Sequence, residues 1–373
     1  MSPLLTEHFS YLSDSVRLDC YRRACAALID EGDIVADLGC GVGILGLLSL
    51  KAGAGHVYAI DDSPVIEFAR TTFSRAGLKD RATFLHGRVQ HMTLPAPADL
   101  IICDHVGHFG FDYGIIELFQ YGRNHLLKPG GKLVPARLEL EVAAVSSSEL
   151  SELMSSWQHP AIPSEYHWMT DYSMNDTHAR HLGKHDLLSD AAKLADIDLA
   201  ADQGEFLSWT TTVTVTRDGV LNGLGSWFHA QLAPDVWMTN SPLADQPIGR
   251  RQLFLAAGNI AVTEGDVIKA TISARPADNL IAWDMELPGG QTVSHSSWQG
   301  MMLRTSDVAQ LQLDHVPVLN ELGKARSVVL GYCDGVRTLS QIQEMVCTNH
   351  PELFPTEAEI LRFVVAVVGR DTN

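Results

Sequence analysis

The segment VADLGCGVGILGLLSLKAG, residues 35–53, constrains the chain most: an apolar strand ends on Asp37, passes through Gly39, Gly41 and Gly43, and enters an apolar helix. Glycines at such a bend let the backbone turn tightly and approach a bound ligand, because no Cβ stands in the way. The same rhythm of short apolar strand and longer helix returns in HVYAIDD, ATFLHGRV and ADLIICDHVG, with a helix from about Ile115 to Leu127, and KPGGKLVPAR closes the series. Strands alternating with helices of ten or more residues predict a parallel sheet covered on both faces, so Gly32 to Pro135 is expected to be a Rossmann-like, nucleotide-binding α/β domain.

The residues flanking the glycines narrow the ligand. Asp61 ends the second strand, where a carboxylate can accept both ribose hydroxyls, and Asp62 follows it. Dinucleotide enzymes place an acid there too. Asp37, however, would repel a pyrophosphate and suits a cationic sulfonium bearing an amino group, which favours S-adenosylmethionine as the cofactor.

Elsewhere the pattern changes. Residues 1–30 carry apolar positions at helical spacing and are expected to be a helix. After Pro135, the runs LELEVAAVS, FLSWTTTVTV, SWFHAQL, RQLFLAAG, DVIKATISA and LIAWDMEL alternate between Gly, Pro and Asp breaks, which predicts a β-barrel or sandwich over about 138–305. Residues 146–203 interrupt it as an arm with two expected helical pieces, SELSELMSSW and SDAAKLAD. An arm of that length packs on something, a second subunit being one candidate. The tail from about 311 to 373 reads as helix-like runs around a Cys-Asp-Gly turn, suiting a small winged-helix-like module.

Bulk properties exclude some partners. The formal charge is −18, with 27 Lys and Arg against 45 Asp and Glu, which does not suit a nucleic-acid surface and does suit a cationic substrate. Six cysteines without a CxxC pair suggest neither a zinc site nor a disulfide framework, so no metal is expected and a cytoplasmic location fits. No apolar run is long enough for a bilayer, and no export signal stands at the N-terminus.

Over roughly residues 14–300 the chain resembles the protein arginine methyltransferases. The resemblance rests on DSVRLDCYRRA, the glycine segment through VYAIDDS, LLKPGGKLVPAR, and DGVLNGLGSWFHAQL followed by MTNSP. It implies that Arg17 grips the cofactor carboxylate, that Val89 and Gln90 of GRVQHM lie at the adenine, with Gln90 replacing a usual Glu, and that residues 146–203, with HWMTDYSM at their core, form a dimerisation arm. A homodimer follows from that reading.

Two departures touch the acceptor site. The family carries two glutamates in the hairpin after the fourth strand. Here that hairpin is CDHVGHFGFDYGIIEL, so Asp104 stands for the first and Tyr113, or Asp112 with a one-residue shift, for the second. The family's Thr-His-Trp motif is replaced by PIGRRQ, which removes an imidazole and adds Arg250 and Arg251. His105 and His108 of the hairpin are imidazoles able to act as bases near neutral pH. Asp104, Asp112, His105, His108 and Tyr113 are therefore the candidates for positioning the acceptor and taking its proton.

The tail resembles PqqD-like modules that bind leader peptides of ribosomally made natural products, through Leu319, Asn320, Cys333-Asp334-Gly335 and Thr338. A peptide substrate held by its leader is then implied. A free amino acid or small cationic intermediate is the alternative acceptor, and a non-catalytic partner subunit is a third reading that the intact cofactor residues disfavour.

Overall fold

The computed structural model describes residues 3–301 and 315–372. Two compact units result, one ending at Met301 and one beginning at Met302.

The first unit opens with two helices rather than the one expected, α1 (Pro3–Ser13) and α2 (Ser15–Leu28). Asp14 breaks the run. Its backbone lies outside the helical region, and its side chain accepts the Arg17 amide to cap α2. Its other carboxylate oxygen accepts the Gly249 amide at 2.7 Å, which ties the helix junction to a distant loop.

The nucleotide-type domain follows as β1 (Ile34–Leu38), α3 (Ile44–Ala52), β2 (His56–Asp61), α4 (Ile66–Arg75), β3 (Ala82–His86), β4 (Ala98–Cys103), α5 (Ile115–His125) and β5 (Leu127–Val134). The five strands are parallel in the order β3-β2-β1-β4-β5. Val35, Ala36, Leu38, Leu100, Ile101 and Ile102 are fully buried, as continuous apolar strands covered on both faces must be. The order reverses between β1 and β4, and ligands of such sheets sit beyond the strand carboxyl ends at that reversal. Asp37, Gly39, Asp61 and Asp104 all lie at that edge.

The second domain is antiparallel. Strands β6 (Arg137–Val145), β7 (Thr177–Arg180), β8 (Ala192–Asp198), β10 (Gly219–Ala233), β11 (Val236–Thr239) and β12 (Gln252–Val262) make one sheet. Strands β9 (Leu207–Thr214), β13 (Val267–Arg275), β14 (Leu280–Glu286) and β15 (Thr292–Ser296) make the other. Trp227, Phe228, Phe254 and Trp283 are buried between elements of this domain. The piece SDAAKLAD is not helical: its second half enters β8, which pairs with β6 from Ala192–Val142 to Asp198–Arg137. Ala, Lys and Leu favour helix intrinsically, but Leu194, Ala195 and Ile197 are buried by strand pairing, and burial outweighs propensities of a few tenths of a kcal/mol.

The arm proper lies between β6 and β7, with α6 (Ser148–Ser155) and α7 (Met169–Met174). Tyr166, Trp168 and Tyr172 stand exposed on it.

The second unit contains α8 (Glu321–Gly331), α9 (Leu339–Asn349) and α10 (Glu357–Asp371), with no strand among its described residues. Val329, Ile342, Val346, Ile360, Val364 and Val367 form its own core. Asn320 caps α8, and Thr338 with Gln341 forms a reciprocal cap on α9. The Cys-Asp-Gly turn is closed by Asp334, whose Oδ1 accepts the amides of Val336 and Arg337, both at 3.0 Å. No helix among the described residues is long and apolar enough to cross a membrane.

Candidate active site

The three turn glycines adopt φ of +69°, +53° and +83° at Gly39, Gly41 and Gly43, a region that side chains rarely tolerate. A Cβ on Gly39 would collide with the His105 ring, and one on Gly41 would meet the His8 ring at 2.9 Å. Asp61 fixes the loop: its carboxylate accepts the Gly41 amide at 2.7 Å and the Ser63 amide at 2.8 Å. Each oxygen keeps a further lone pair, so the carboxylate can still accept a hydroxyl.

Three cavities meet around this loop. The first, of about 610 Å³, is lined by Gly39, Asp61, Asp62, Val89, Gln90 and Glu117, with His105, Asp112 and Tyr113 at its edge. The second, about 210 Å³, lies beneath α1 among His8, Tyr11, Arg17, Gly41, Asp104 and Arg250. The third, about 910 Å³, is bounded by Glu7, Tyr11, His108, Tyr113, Arg250 and Arg251. The first two share Gly39, Asp61, His105 and Tyr113, so together they form one elongated site along the glycine loop.

Buried acids make this site chemically distinctive. Asp37 is fully buried; its Oδ2 accepts the Gly46 amide at 2.8 Å, while Oδ1 has no partner. Burial pushes its pKa up to about 7, with the Gly46 hydrogen bond opposing and Asp61 adding to the rise. Glu117 repeats the motif on the adjoining wall: Oε2 is buried without a partner, and burial raises its pKa. Buried acceptors left unpaired are costly, and at a cavity wall they mark places where a ligand's donors fit. An elongated cleft, a glycine cradle, a ribose-type carboxylate and an orphaned acceptor on the Glu117 wall suit S-adenosylmethionine, whose adenine amino group is a donor.

The hairpin after β4 is organised differently from the expectation of free carboxylates. Asp104 is saturated by the protein itself: Oδ2 accepts Nε of Arg17 at 2.6 Å and Nη2 of Arg250 at 3.1 Å, and Oδ1 accepts the Tyr21 hydroxyl at 2.9 Å. Burial alone would raise its pKa, but the two guanidiniums and the phenol hold it below the ordinary carboxylate range. Asp112 is inside the loop, accepting the amides of His108 at 3.0 Å and Phe109 at 2.7 Å. Burial raises its pKa against those bonds. Asp104 is thus held by the protein's own cations, while Asp112 braces the amides of its own loop.

The imidazoles of the hairpin face different ways. His105 Nδ1 lies 3.3 Å from the Tyr113 carbonyl, and its ring covers Gly39. His108 Nδ1 lies 3.2 Å from the Arg251 carbonyl, and its Nε2 is 3.5 Å from the Tyr113 hydroxyl. Burial lowers the His108 pKa, which keeps it neutral and weakly basic. Asn240 of the MTNSP segment is fully buried and donates to the carbonyls of His108 and Arg251, both at 2.8 Å, which locks the hairpin to the barrel domain.

The structure therefore gathers Arg17, Gly39, Gly41, Asp61, Asp62, Val89, Gln90, Asp104, His105, His108, Asp112 and Tyr113 around one cleft. Gly43 caps α3 and Asp37 sits behind the loop. Sequence reasoning missed Tyr11, Tyr21, Glu117 and the engagement of Arg250 with Asp104. Only Glu117 left a trace in the sequence, as an acid in the first turn of the helix that follows the hairpin.

Known proteins agree with this architecture. A methyltransferase domain model matches residues 35–131, and the arginine methyltransferase oligomerization subdomain matches residues 136–288. Protein arginine N-methyltransferase 1 of Saccharomyces cerevisiae is 26% identical over 279 residues, covering 72% of this chain and 80% of that protein. Its Chlamydomonas reinhardtii counterpart is 28% identical over 309 residues, covering 76% and 87%. Among solved structures, the Trypanosoma brucei PRMT1 enzyme-prozyme complex with AdoHcy superposes with a TM-score of 0.69 at 19% identity, covering 78% of this chain and 97% of that one. Arabidopsis thaliana protein arginine methyltransferase 10 gives 0.66 at 20%, covering 79% and 98%. The chain is a class I S-adenosylmethionine-dependent methyltransferase with the two-domain build of the protein arginine methyltransferases.

Proposed function

We propose that this enzyme methylates a nitrogen on a peptide side chain, arginine or another nitrogen nucleophile, and that the second unit from residue 315 belongs to a PqqD-like, winged-helix-like module that holds the leader of a ribosomally made precursor, residues 311–314 of the expected module lying outside the described residues. The observation that carries this reading is the second unit, a helical body with its own core that follows the methyltransferase unit ending at Met301. Tethering a leader would raise the effective concentration of the core peptide at the catalytic cleft. The relatives are named for arginine N-methylation, which supports nitrogen as the acceptor atom. The exposed Tyr166, Trp168 and Tyr172 of the arm support a homodimer, since aromatic patches of this kind are covered in assemblies. A cytoplasmic setting suits six unpaired cysteines.

The cofactor supplies an electrophilic methyl group on a sulfonium. Val89, Gln90 and Glu117 would hold the adenine, Asp61 and Asp62 the ribose, and Arg17 with the loop of Gly39, Gly41 and Gly43 the amino-acid end. Asp37 would face the ammonium with its unpartnered oxygen. Tyr113 and His108 line the acceptor cavity and orient the incoming nitrogen, while Tyr11 and α1 keep water from the reacting atoms. In-line transfer asks mainly for this positioning.

Deleting residues 302–373 and comparing methylation of a leader-bearing peptide with that of free amino acids, by intact mass, tests the reading. Loss of peptide methylation with retained cofactor binding is expected. A shortened enzyme equally active on the peptide, or a full chain that methylates only free metabolites, refutes it.

A further inference from the structure

The acceptor side of the cleft holds a carboxylate that the protein's own cations occupy. Arg250 is 9% exposed, and its guanidinium is held on three sides. Nη2 donates to Asp104 Oδ2 at 3.1 Å, Nη1 donates to the Gly107 carbonyl at 3.1 Å, and the guanidinium carbon lies 5.4 Å from the centre of the Tyr11 ring. Carboxylate, carbonyl and aromatic face are what a bound guanidinium requires of any protein. The other acids nearby are also engaged: Asp112 on two amides, Asp14 on the amides of Arg17 and Gly249, and Glu7 on the Tyr11 hydroxyl at 3.1 Å. Arg17, Arg250 and Asp104 together leave this buried cluster with a net positive charge.

We infer that Arg250 is a specificity-determining residue: its guanidinium fills the seat an acceptor guanidinium would take, so the enzyme selects an uncharged side-chain nitrogen and rejects arginine. The inference deepens the peptide-nitrogen reading and rests on it. A cation entering here meets a buried positive cluster whose one carboxylate, Asp104, is already held by two guanidiniums and a phenol, which is unfavourable at low local dielectric. An uncharged nitrogen with an available lone pair, of which a neutral imidazole is the clearest side-chain example, needs neither a counter-charge nor a strong base. No strong base is offered by His108, whose basicity burial lowers, or by Asp104, which its guanidiniums keep ionised. In the transfer, the imidazole lone pair forms the new N–C bond as the C–S bond breaks. The electron pair of that bond goes to sulfur, which becomes a neutral thioether, and the methylated ring then releases its remaining N–H proton to water.

Matched peptides differing only by arginine or histidine, and N-acetyl-arginine amide as a binding probe, test this in the full-length enzyme with S-adenosylhomocysteine present. Wild type should methylate the histidine peptide in preference and bind the probe weakly. Arg250→Ala should bind the probe at least tenfold more tightly and raise the arginine-to-histidine ratio of kcat/KM at least tenfold. Circular dichroism and the melting temperature report folding, and Arg250→Gln carries the same expectation if the alanine variant fails that check. A wild type that prefers arginine, or a folded variant with unchanged probe binding, overturns the inference. So does loss of the folded state in both variants, which would make Arg250 a structural strut. If wild type methylates neither peptide, the peptide reading fails, while the probe binding still decides the role of Arg250.

Discussion

Asp37 offers a quantitative test of how the cofactor loop stores energy. Its carboxyl is raised from 3.8 to about 7 because it is wholly buried with one oxygen unpaired. A folded-state pKa above the unfolded one means that the folded protein holds this proton more tightly. The associated stability is fully present below pH 3.8 and is lost as pH rises through about 7. A shift of this size corresponds to about 4 kcal/mol in total, of which roughly 2–3 kcal/mol falls between pH 5 and pH 8. Asp37→Asn keeps the oxygen that accepts the Gly46 amide and removes the titration. Urea unfolding of both proteins at pH 5, 6, 7 and 8, without ligand, should show wild type losing roughly 2–3 kcal/mol relative to the variant across that range. On the proposed placement of the cofactor ammonium near the orphaned oxygen, S-adenosylmethionine affinity for wild type should climb over the same interval, and affinity for the variant should not. A stability difference between the two proteins that stays flat from pH 5 to pH 8 would refute the assignment of a raised Asp37 carboxyl.

Two further perturbations probe the cleft. Glu117→Leu removes the orphaned acceptor on the proposed adenine wall and should weaken S-adenosylmethionine binding by about 1.5–3 kcal/mol in calorimetry, since the lost bond is to a charged acceptor. The wild-type affinity should also fall on acidification, as the raised Glu117 carboxyl takes up its proton; an unchanged affinity in Glu117→Leu would place the adenine elsewhere. Asp112→Ala unties the amides of His108 and Phe109 and should cost about 1–3 kcal/mol of stability, read as a lower Tm, while kcat falls more than cofactor affinity because Tyr113 loses its support. A variant with wild-type Tm would show that the hairpin does not depend on that side chain.

The parts of this molecule legible in its sequence are those decided by neighbours along the chain. Gly39, Gly41 and Gly43 announce a tight bend wherever they occur after a strand, and alternating apolar runs announce the barrel sheets. β8 escaped because Ala192, Lys193, Leu194 and Ala195 read as helix until β6 is present to pair with them. The acceptor site escaped for a related reason. Arg250 meets Asp104 across 146 residues of chain, and Tyr11 and Tyr21 reach the same point from the N-terminal helices. Charge content suggested an acidic cleft suited to a cation. The fold instead spends those acids on its own amides and guanidiniums, a distinction that only three-dimensional pairing reveals.

Helix α1 roofs the cavity over the glycine loop through His8 and Tyr11, and the same helix walls the acceptor cavity through Glu7, Ser10 and Tyr11. Through Asp14 its junction with α2 is also bonded to the loop that carries Arg250. An outward displacement of α1 would therefore open the cofactor cavity and the acceptor cavity together. On such a framework an ordered turnover is expected, methyl donor first and spent thioether last, and S-adenosylhomocysteine that fails to compete with S-adenosylmethionine in product-inhibition kinetics would refute it.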